Sequence, residues 1–369
     1  MRILIPVSTF ERAGGFRVLS ELATHWTRAG HKVDFLVDYR SAPPYFPTRG
    51  GLLRFDSAGQ LFFDIKPGKP FAPSGNAKSI YWGMFRALNR VGRNYDVILA
   101  NHSFTALPVT LARTGSAQKW YYIQAYEPEY HSFDKGWRGK ILKTVSAFSY
   151  RLPLQQLVNA PLYLDYRSIR AKDWIPPGLD LEVFTRRVTA PDFVPGTGIT
   201  LGTIGRHELT KGTVDVLKAF EILAERDPNI RLHIAYGNLP PGWQHPRATV
   251  TEPLGDVGLA KYYRSVDILI AAGTVQHGAC HYPVLEAMAS GTPVITTGYL
   301  PASERNAWLV PTNSPVAIAD AVNKVIGASS ADRMVKLDAA VAAIASFEWA
   351  SVSQHFLKLF AERLRLSRS

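Results

Sequence analysis

The chain is poor in sulfur: its 369 residues include one cysteine, Cys280, and four methionines. A lone thiol makes no internal disulfide and cannot build a thiolate-rich metal site, so disulfide scaffolds are excluded and a reducing, cytoplasmic compartment is expected. No uninterrupted apolar run approaches the roughly 18 residues of a spanning helix. The start, MRILIPVSTF, runs into Glu11 and Arg12 without the apolar core of a signal peptide, so a soluble, unexported protein is expected. Acidic residues are also scarce, 30 against 42 Lys and Arg. The imbalance is local: residues 1–193 carry a balance of +11 and residues 194–369 one of +1. A basic first half implies an anionic partner, which charge alone leaves open among a nucleic acid, an anionic membrane surface and a phosphorylated substrate.

The composition, 46% hydrophobic and 20% charged, is globular, and the length suits two domains. RILIPV, a loop with Gly14 and Gly15, an amphipathic stretch and KVDFLV read as a βαβ unit, with Leu19, Leu22, Ala23 and Trp26 on one helical face and Gly30 at the C-cap. Residues 41–76 read as long loops or irregular strands. YDVILANHS and KWYYIQAYEPEY are further strands with polar tails, placed where open α/β sheets bind ligands. A Pro- and Gly-rich stretch from about residue 176 has linker character. Beyond it ITLGTIG, TVDVLKAFEILAER, IRLHIAYG, VDILIAAG and PVITT start a second parallel-sheet domain, and Ser314-Pro315 caps a helix. A last helix shows the stripe Val352, Phe356, Leu359 and Phe360. The expected domains are 1–180, joined by the closing helix 350–369, and 190–345; two α/β halves of similar size imply a cleft between them.

TIGRHELTKGTVDVL ends a strand in Gly205 and Arg206 and opens a helix with Lys211 and Gly212. Unpaired N–H groups at a helix N-terminus, flanked by two cations, suit a diphosphate, and the spacing is not that of a Walker loop. A solvated loop with a cap-like glycine fits these residues equally well. In SVDILIAAGTVQHGACHYPVLEAMASGTPVITTG, strand, loop, helix and strand follow one another, with Glu286 early in the helix. A carboxylate there either accepts the two hydroxyls of a ribose, with the free N–H groups around Tyr282 to Leu285 facing a phosphate or sugar, or offsets the helix dipole.

These residues resemble glycosyltransferase family 4, the retaining nucleotide-sugar transferases. The resemblance runs through Gly14-Gly15, IPPGLD, the GR-then-KG pattern, VLEAMASGTPVI and NAWLVPTNSPVAIADAV. It implies the GT-B fold: α/β, two Rossmann-like domains facing a central cleft, with the C-terminal helix crossing back to the first domain. It implies a nucleoside-diphosphate sugar as co-substrate, with no cofactor and no metal. Arg206 and Lys211 would bind the donor diphosphate and Glu286 the ribose. Gly14 and Gly15 would admit the donor phosphates, and Tyr236, Gly237, His281, Tyr282, Pro283, Val284 and Leu285 would complete the donor site. The family's second Glu, eight positions before the one in LEAM, is Gly278 here. HGACHYPVLE and YYIQAYEPEY are similar to a subgroup that includes rhamnosyltransferases, which points to a 6-deoxy sugar such as that of dTDP-rhamnose. The family role would lie in cell-envelope polysaccharide, lipopolysaccharide or glycan assembly.

On the acceptor side, Asn101 and His102 end a strand where family members often place a His contacting sugar or acceptor; a structural histidine is the competing reading. Glu127 and Glu129 either orient an acceptor hydroxyl or belong to a solvated turn. His277, Cys280 and His281 fall short of the roughly four ligands of a closed zinc site. Residues 135–151 set Lys135, Arg138, Lys140, Lys143 and Arg151 among Trp137, Ile141, Leu142, Val145 and Phe148. They read either as an interfacial helix on an anionic membrane, suited to a lipid-linked acceptor, or as a half-buried surface helix with solvated lysines. A sugar transferase is thus the leading reading; a GT-B epimerase or a silent relative is the alternative. A nucleic-acid binder ranks last, since no recognition motif is present.

Overall fold

The computed structural model describes residues 1–62, 77–132, 136–187, 193 and 196–366. The chain divides into two compact units, one formed by Met1–Gly178 with Trp349–Ser369 and the other by Leu179–Glu348.

The first unit runs β1 (Arg2–Val7), α1 (Gly14–Arg28), β2 (Lys32–Asp38), β3 (Gly51–Phe55), β4 (Leu61–Phe62), α2 (Ala77–Val91), β5 (Val97–Ala100), α3 (Ser103–Leu111), β6 (Gln118–Ile123), α4 (Glu127–Tyr130), α5 (Trp137–Ser149), β7 (Gln155–Val158) and β8 (Asp173–Trp174). Among the described residues its sheet has the order β4-β3-β2-β1-β5-β6-β7-β8, parallel except for the β3–β4 pair. The apolar runs form these strands because both faces of a parallel sheet are covered by helices. Of the long loops or irregular strands expected over 41–76, residues 51–62 hold the short strands β3 and β4, and 63–76 lie outside the described residues. On α1 the expected face is buried, with Leu22, Ala23 and Trp26 fully enclosed.

The second unit continues with β9 (Ile199–Ile204), α6 (Thr213–Arg226), β10 (Ile230–Ala235), β11 (Ala248–Thr251), α7 (Gly255–Ser265), β12 (Ile268–Ala271), α8 (Tyr282–Ala289), β13 (Val294–Thr296), β14 (Trp308–Leu309), α9 (Pro315–Gly327) and α10 (Ser330–Ile344). Its strands are parallel, in the order β11-β10-β9-β12-β13-β14. One face of the sheet buries Leu201, Ile268 and Ile270 with Phe220, Ile318 and Val322; the other buries Leu269 and Val294 with Tyr263, Leu285 and Met288. Leu179 and Phe184, in the stretch of linker character, are buried in that second layer. Ser314 caps α9 by accepting from the Ala317 N–H at 3.3 Å.

The chain then returns to the first unit as α11 (Trp349–Leu366). Trp26 meets Phe356 and Phe360 with ring centroids 5.6 and 5.8 Å apart, and Trp120 and Tyr122 pack on the same two phenylalanines. The buried Trp26 Nε1–H donates to the Ser353 carbonyl at 3.1 Å. Burying an aromatic side chain of this kind contributes about 3 kcal/mol, so α11 is an integral part of the first unit.

Candidate functional site

In each sheet the strand order reverses once, between β1 and β5 and between β9 and β12. A crevice opens at such a reversal beyond the carboxyl ends of the strands, because the two flanking crossover helices leave in opposite directions. Most candidate residues follow these strands, while Glu127 and Glu129 follow β6 and Tyr236 and Gly237 follow β10.

In the second unit Arg206 follows β9. Its N–H donates to Thr213 Oγ1 at 3.1 Å, and that hydroxyl donates back to the Arg206 carbonyl at 3.0 Å, tying the loop to the first residue of α6. Between them Gly212 takes φ +71°, and a Cβ on it would stand 1.8 Å from the Ala272 carbonyl oxygen at the end of β12. The absent side chain lets the start of α6 press against the β12 loop, where the Thr274 N–H donates to the Thr210 carbonyl at 2.9 Å. Lys211 lies in that turn. Burial lowers its pKa below the usual lysine value, with the Arg206 charge adding to the effect. The Arg206 guanidinium is engaged by Glu208, Nε to Oε2 at 3.1 Å and Nη2 to Oε1 at 2.7 Å. That fork holds the Glu208 carboxyl down at about 2. Sequence reasoning did not single out Glu208 as a partner. A cavity of about 200 Å³ beside this loop is lined by Arg206, Glu208, Leu209, Thr213, Leu239 and Pro240 among others.

The loop between β12 and α8 carries the second candidate group. His281 takes the N-cap position of α8, followed by Tyr282 and Pro283. Its pKa is pushed well below the usual imidazole value, first by burial and then by the charges of Lys211 and Arg206, which places it electrostatically beside the Arg206–Lys211 loop. His281 Nδ1 is buried and has no hydrogen-bond partner among the described residues. Tyr299 packs against His281 and His277, with centroids 4.7 and 5.8 Å away, and its hydroxyl donates to the Val275 carbonyl at 2.8 Å. Gly278 takes φ +89°. Among the described residues no group of three or more His, Cys, Asp or Glu gathers that could hold a metal ion. Val284 and Leu285 face the core, and Glu286 is only 2% exposed, accepting a hydrogen bond from Tyr263 of α7 at 2.8 Å. Burial, and the Glu286 charge after it, push the Tyr263 phenol well above its usual value. Tyr236, after β10, takes φ +64° and donates from its hydroxyl to the Pro253 carbonyl at 3.3 Å; Gly237 follows it.

In the first unit Gly14 and Gly15 open α1, and Gln124, after β6, reaches the Gly15 carbonyl at 3.5 Å. Asn101 is fixed by its Nδ2 donating to the Pro6 carbonyl at 2.8 Å. His102 is the N-cap of α3, and its Nδ1 accepts the Phe104 N–H at 3.2 Å. In the neutral ring the proton therefore sits on Nε2, which lies 3.5 Å from Glu127 Oε2. Glu127 also accepts the Ser103 N–H at 3.1 Å on both oxygens. The YEPE segment is the short helix α4 and not an open turn. Thus His102 and Glu127 meet at the N-terminus of α3, while Glu129 accepts the Tyr166 hydroxyl at 3.1 Å.

Residues 198–328 match the family model described as Glycosyl transferases group 1. Sucrose-phosphate synthase from Thermosynechococcus elongatus superposes with a TM-score of 0.75 at 16% identity, over 99% of this chain and 100% of that one. Anabaena HepE, solved in complex with UDP and glucose, superposes with a TM-score of 0.70 at 15% identity, over 98% and 99%. The fold is GT-B. In sequence, the D-inositol 3-phosphate glycosyltransferase of Saccharomonospora viridis is 29% identical over 41% of this chain and 41% of its own length. The protein of that name from Corynebacterium urealyticum is 27% identical over 50% of each. The chain therefore matches about half the length, or less, of these curated relatives. The matched residues 198–328 lie in the second unit and include Arg206, Lys211, His281 and Glu286.

Proposed function

We propose that the chain is a retaining glycosyltransferase that moves a sugar from a nucleoside-diphosphate sugar to an acceptor hydroxyl. The observation that carries this reading is the convergence of Arg206, Lys211 and the α8 N-terminus at one sheet edge, made by the contact of Gly212 with the Ala272 carbonyl. Two cations and the positive end of the α8 dipole there suit a diphosphate leaving group, which Arg grips with a planar fork and Lys as a point charge, although the Val284 and Leu285 N–H groups themselves donate to the His281 carbonyl at 2.9 and 3.2 Å. The complexes of HepE with UDP and with UDP-glucose support a nucleotide-sugar donor. Glu286 and Tyr236 belong to the donor side of this reading, and His102, Asn101, Glu127 and Glu129 to the acceptor side.

In the transfer, the bond from the anomeric carbon to the β-phosphate oxygen breaks and the acceptor oxygen bonds on the same face. The acceptor proton passes to the departing phosphate oxygen. Arg206 and Lys211 stabilise the charge growing on that phosphate, which is electrostatic catalysis by groups already in place. Charge neutralisation by these side chains makes a bound metal unnecessary in the proposal. For the sugar we favour a 6-deoxyhexose such as rhamnose carried on dTDP, because Gly278 supplies no carboxylate to a sugar hydroxyl. A glycan or lipid-linked acceptor in cell-envelope assembly, reached from the cytoplasm, completes the reading.

Incubation with labelled dTDP-rhamnose, UDP-glucose and GDP-mannose, together with membrane and glycan acceptor fractions, tests it. The expected product is a labelled glycoconjugate whose anomeric configuration, read by NMR, matches that of the donor. An isomerised free sugar would establish an epimerase instead. Binding of a donor with no product from any acceptor would establish a silent relative.

A further inference from the structure

Helix α5 is inside out. Its buried positions are Gly139, Ser146 and Ser149, whereas Trp137, Ile141, Val145 and Phe148 are 69, 51, 38 and 56% exposed. Spacings of four, four and three residues put those four side chains in one stripe along the helix. The inner face is held by small residues and polar bonds, with Ser146 Oγ 3.2 Å from Ser103 Oγ and Ser149 Oγ 3.5 Å from the Tyr121 hydroxyl. Arg138, Lys140 and Lys143 are exposed along the same 13 residues, which hold no acidic side chain, and exposed Arg151 follows. The Arg138 guanidinium lies over the Trp137 ring, 5.6 Å from its centroid. Helix α3, which packs against α5, leaves Leu107 and Leu111 exposed one turn apart. Lys135, the remaining cation of the stretch, lies outside the described residues.

We infer that α5 lies flat on an anionic lipid leaflet, with Trp137, Ile141, Val145 and Phe148 inserted at the headgroup–acyl boundary and Arg138, Lys140 and Lys143 on the phosphates. A 13-residue helix is too short to span a bilayer, and a basic helix with one apolar stripe binds in the plane of the interface. Charge selects this occupant over a second copy of the chain. Across a twofold contact each α5 would set its cations against the same cations of its partner, with no acidic side chain in the helix to answer them. Phosphate headgroups supply the missing counter-charge.

The measurement is co-sedimentation of the full chain with phosphatidylcholine vesicles and with vesicles of equal parts phosphatidylcholine and phosphatidylglycerol, without donor or acceptor. Failure here therefore leaves the glycosyl-transfer reading untouched. Binding to the anionic vesicles is expected to exceed binding to the neutral ones by about tenfold or more and to fall with salt. Lys140→Glu with Lys143→Glu should weaken it by at least about fivefold per lysine. Ile141→Ser with Val145→Ser should weaken it on the anionic vesicles while leaving Tm within about 2 °C, since both side chains are already exposed. Equal binding to both vesicle types, or binding unchanged in both double variants, would overturn the inference. So would a dimer in sedimentation velocity that Ile141→Ser with Val145→Ser converts to monomer.

Discussion

The Tyr263 hydroxyl donates to Glu286 Oε2 at 2.8 Å, and both residues are buried, so the carboxylate assigned to the donor ribose is held by a phenol from the neighbouring helix. Tyr263→Phe keeps the packing and removes one donor from a buried carboxylate. The expected cost is about 1–3 kcal/mol, read as a lower urea midpoint. Because the carboxylate loses one of the contacts that orient it, nucleotide affinity should fall in the same variant. An unchanged urea midpoint would show that the bond contributes nothing.

Two glycines of positive φ separate backbone strain from steric contact. Gly30, at φ +84°, has open space where a Cβ would go, whereas at Gly212 a Cβ would meet the Ala272 carbonyl oxygen at 1.8 Å. Gly30→Ala should cost about 1–2 kcal/mol from the left-handed backbone alone. Gly212→Ala adds an overpacking cost of about 1–3 kcal/mol and displaces the start of α6, so it should also abolish nucleotide binding. Denaturation curves and a nucleotide titration on the two variants check both statements.

Glu208 occupies the Arg206 fork, accepting from Nε and Nη2. The side chains are 43% and 51% exposed, so the pair is worth at most about 1 kcal/mol. Glu208→Gln should therefore tighten nucleoside-diphosphate binding, by up to about fivefold, and Arg206→Ala should weaken it by more. Isothermal titration of both variants measures the effect. Glu208→Gln binding more weakly than wild type would show that Glu208 assists the ligand.

His281 is held neutral by burial and by Lys211 and Arg206, and burial lowers the pKa of His31 and His233 as well. A histidine whose folded pKa lies below its unfolded value near 6.5 binds fewer protons when folded. Stability is thus complete above that value and is lost as pH falls toward the folded pKa, at up to about 1.4 kcal/mol per pH unit per group. His281→Gln should flatten the decline in Tm between about pH 6.5 and 5, and should do so more than His31→Gln, whose shift is smaller in extent.

Much of this architecture is legible before folding. Strand-forming apolar runs, Gly30, Ser314-Pro315 and the limits of α6 are local features, set by backbone propensity and capping within a few residues. Arg206, Lys211 and His281 stand out for the same reason, since each lies in a loop between recognisable elements. The partners Glu208 and Tyr263 were not legible: Tyr263 and Glu286 sit on different helices, and only packing decides that they meet. Strands β3 and β4 fall in a stretch read only as loops or irregular strands, because five- and two-residue strands amid Gly and Pro leave little periodic signal to place them. In α5 the apolar stripe was visible but its direction was not, because periodicity is identical whether a stripe faces the core or the solvent. The Gly139, Ser146 and Ser149 face, small and polar, was the available clue.

The proposed donor site in the second unit is tested most directly by the thermal stability of the full chain titrated with UDP, dTDP, GDP and their sugar conjugates, alongside Arg206→Ala and Lys211→Ala. A ligand that binds only the folded state raises Tm, by about 2.7 kcal/mol of added stability at a hundredfold excess over Kd. One nucleotide should stabilise the wild type in this way, and both variants should lose most of the shift. No stabilisation by any of these nucleotides at millimolar concentration, or an equal shift in Arg206→Ala and Lys211→Ala, would contradict a diphosphate site built on these two cations.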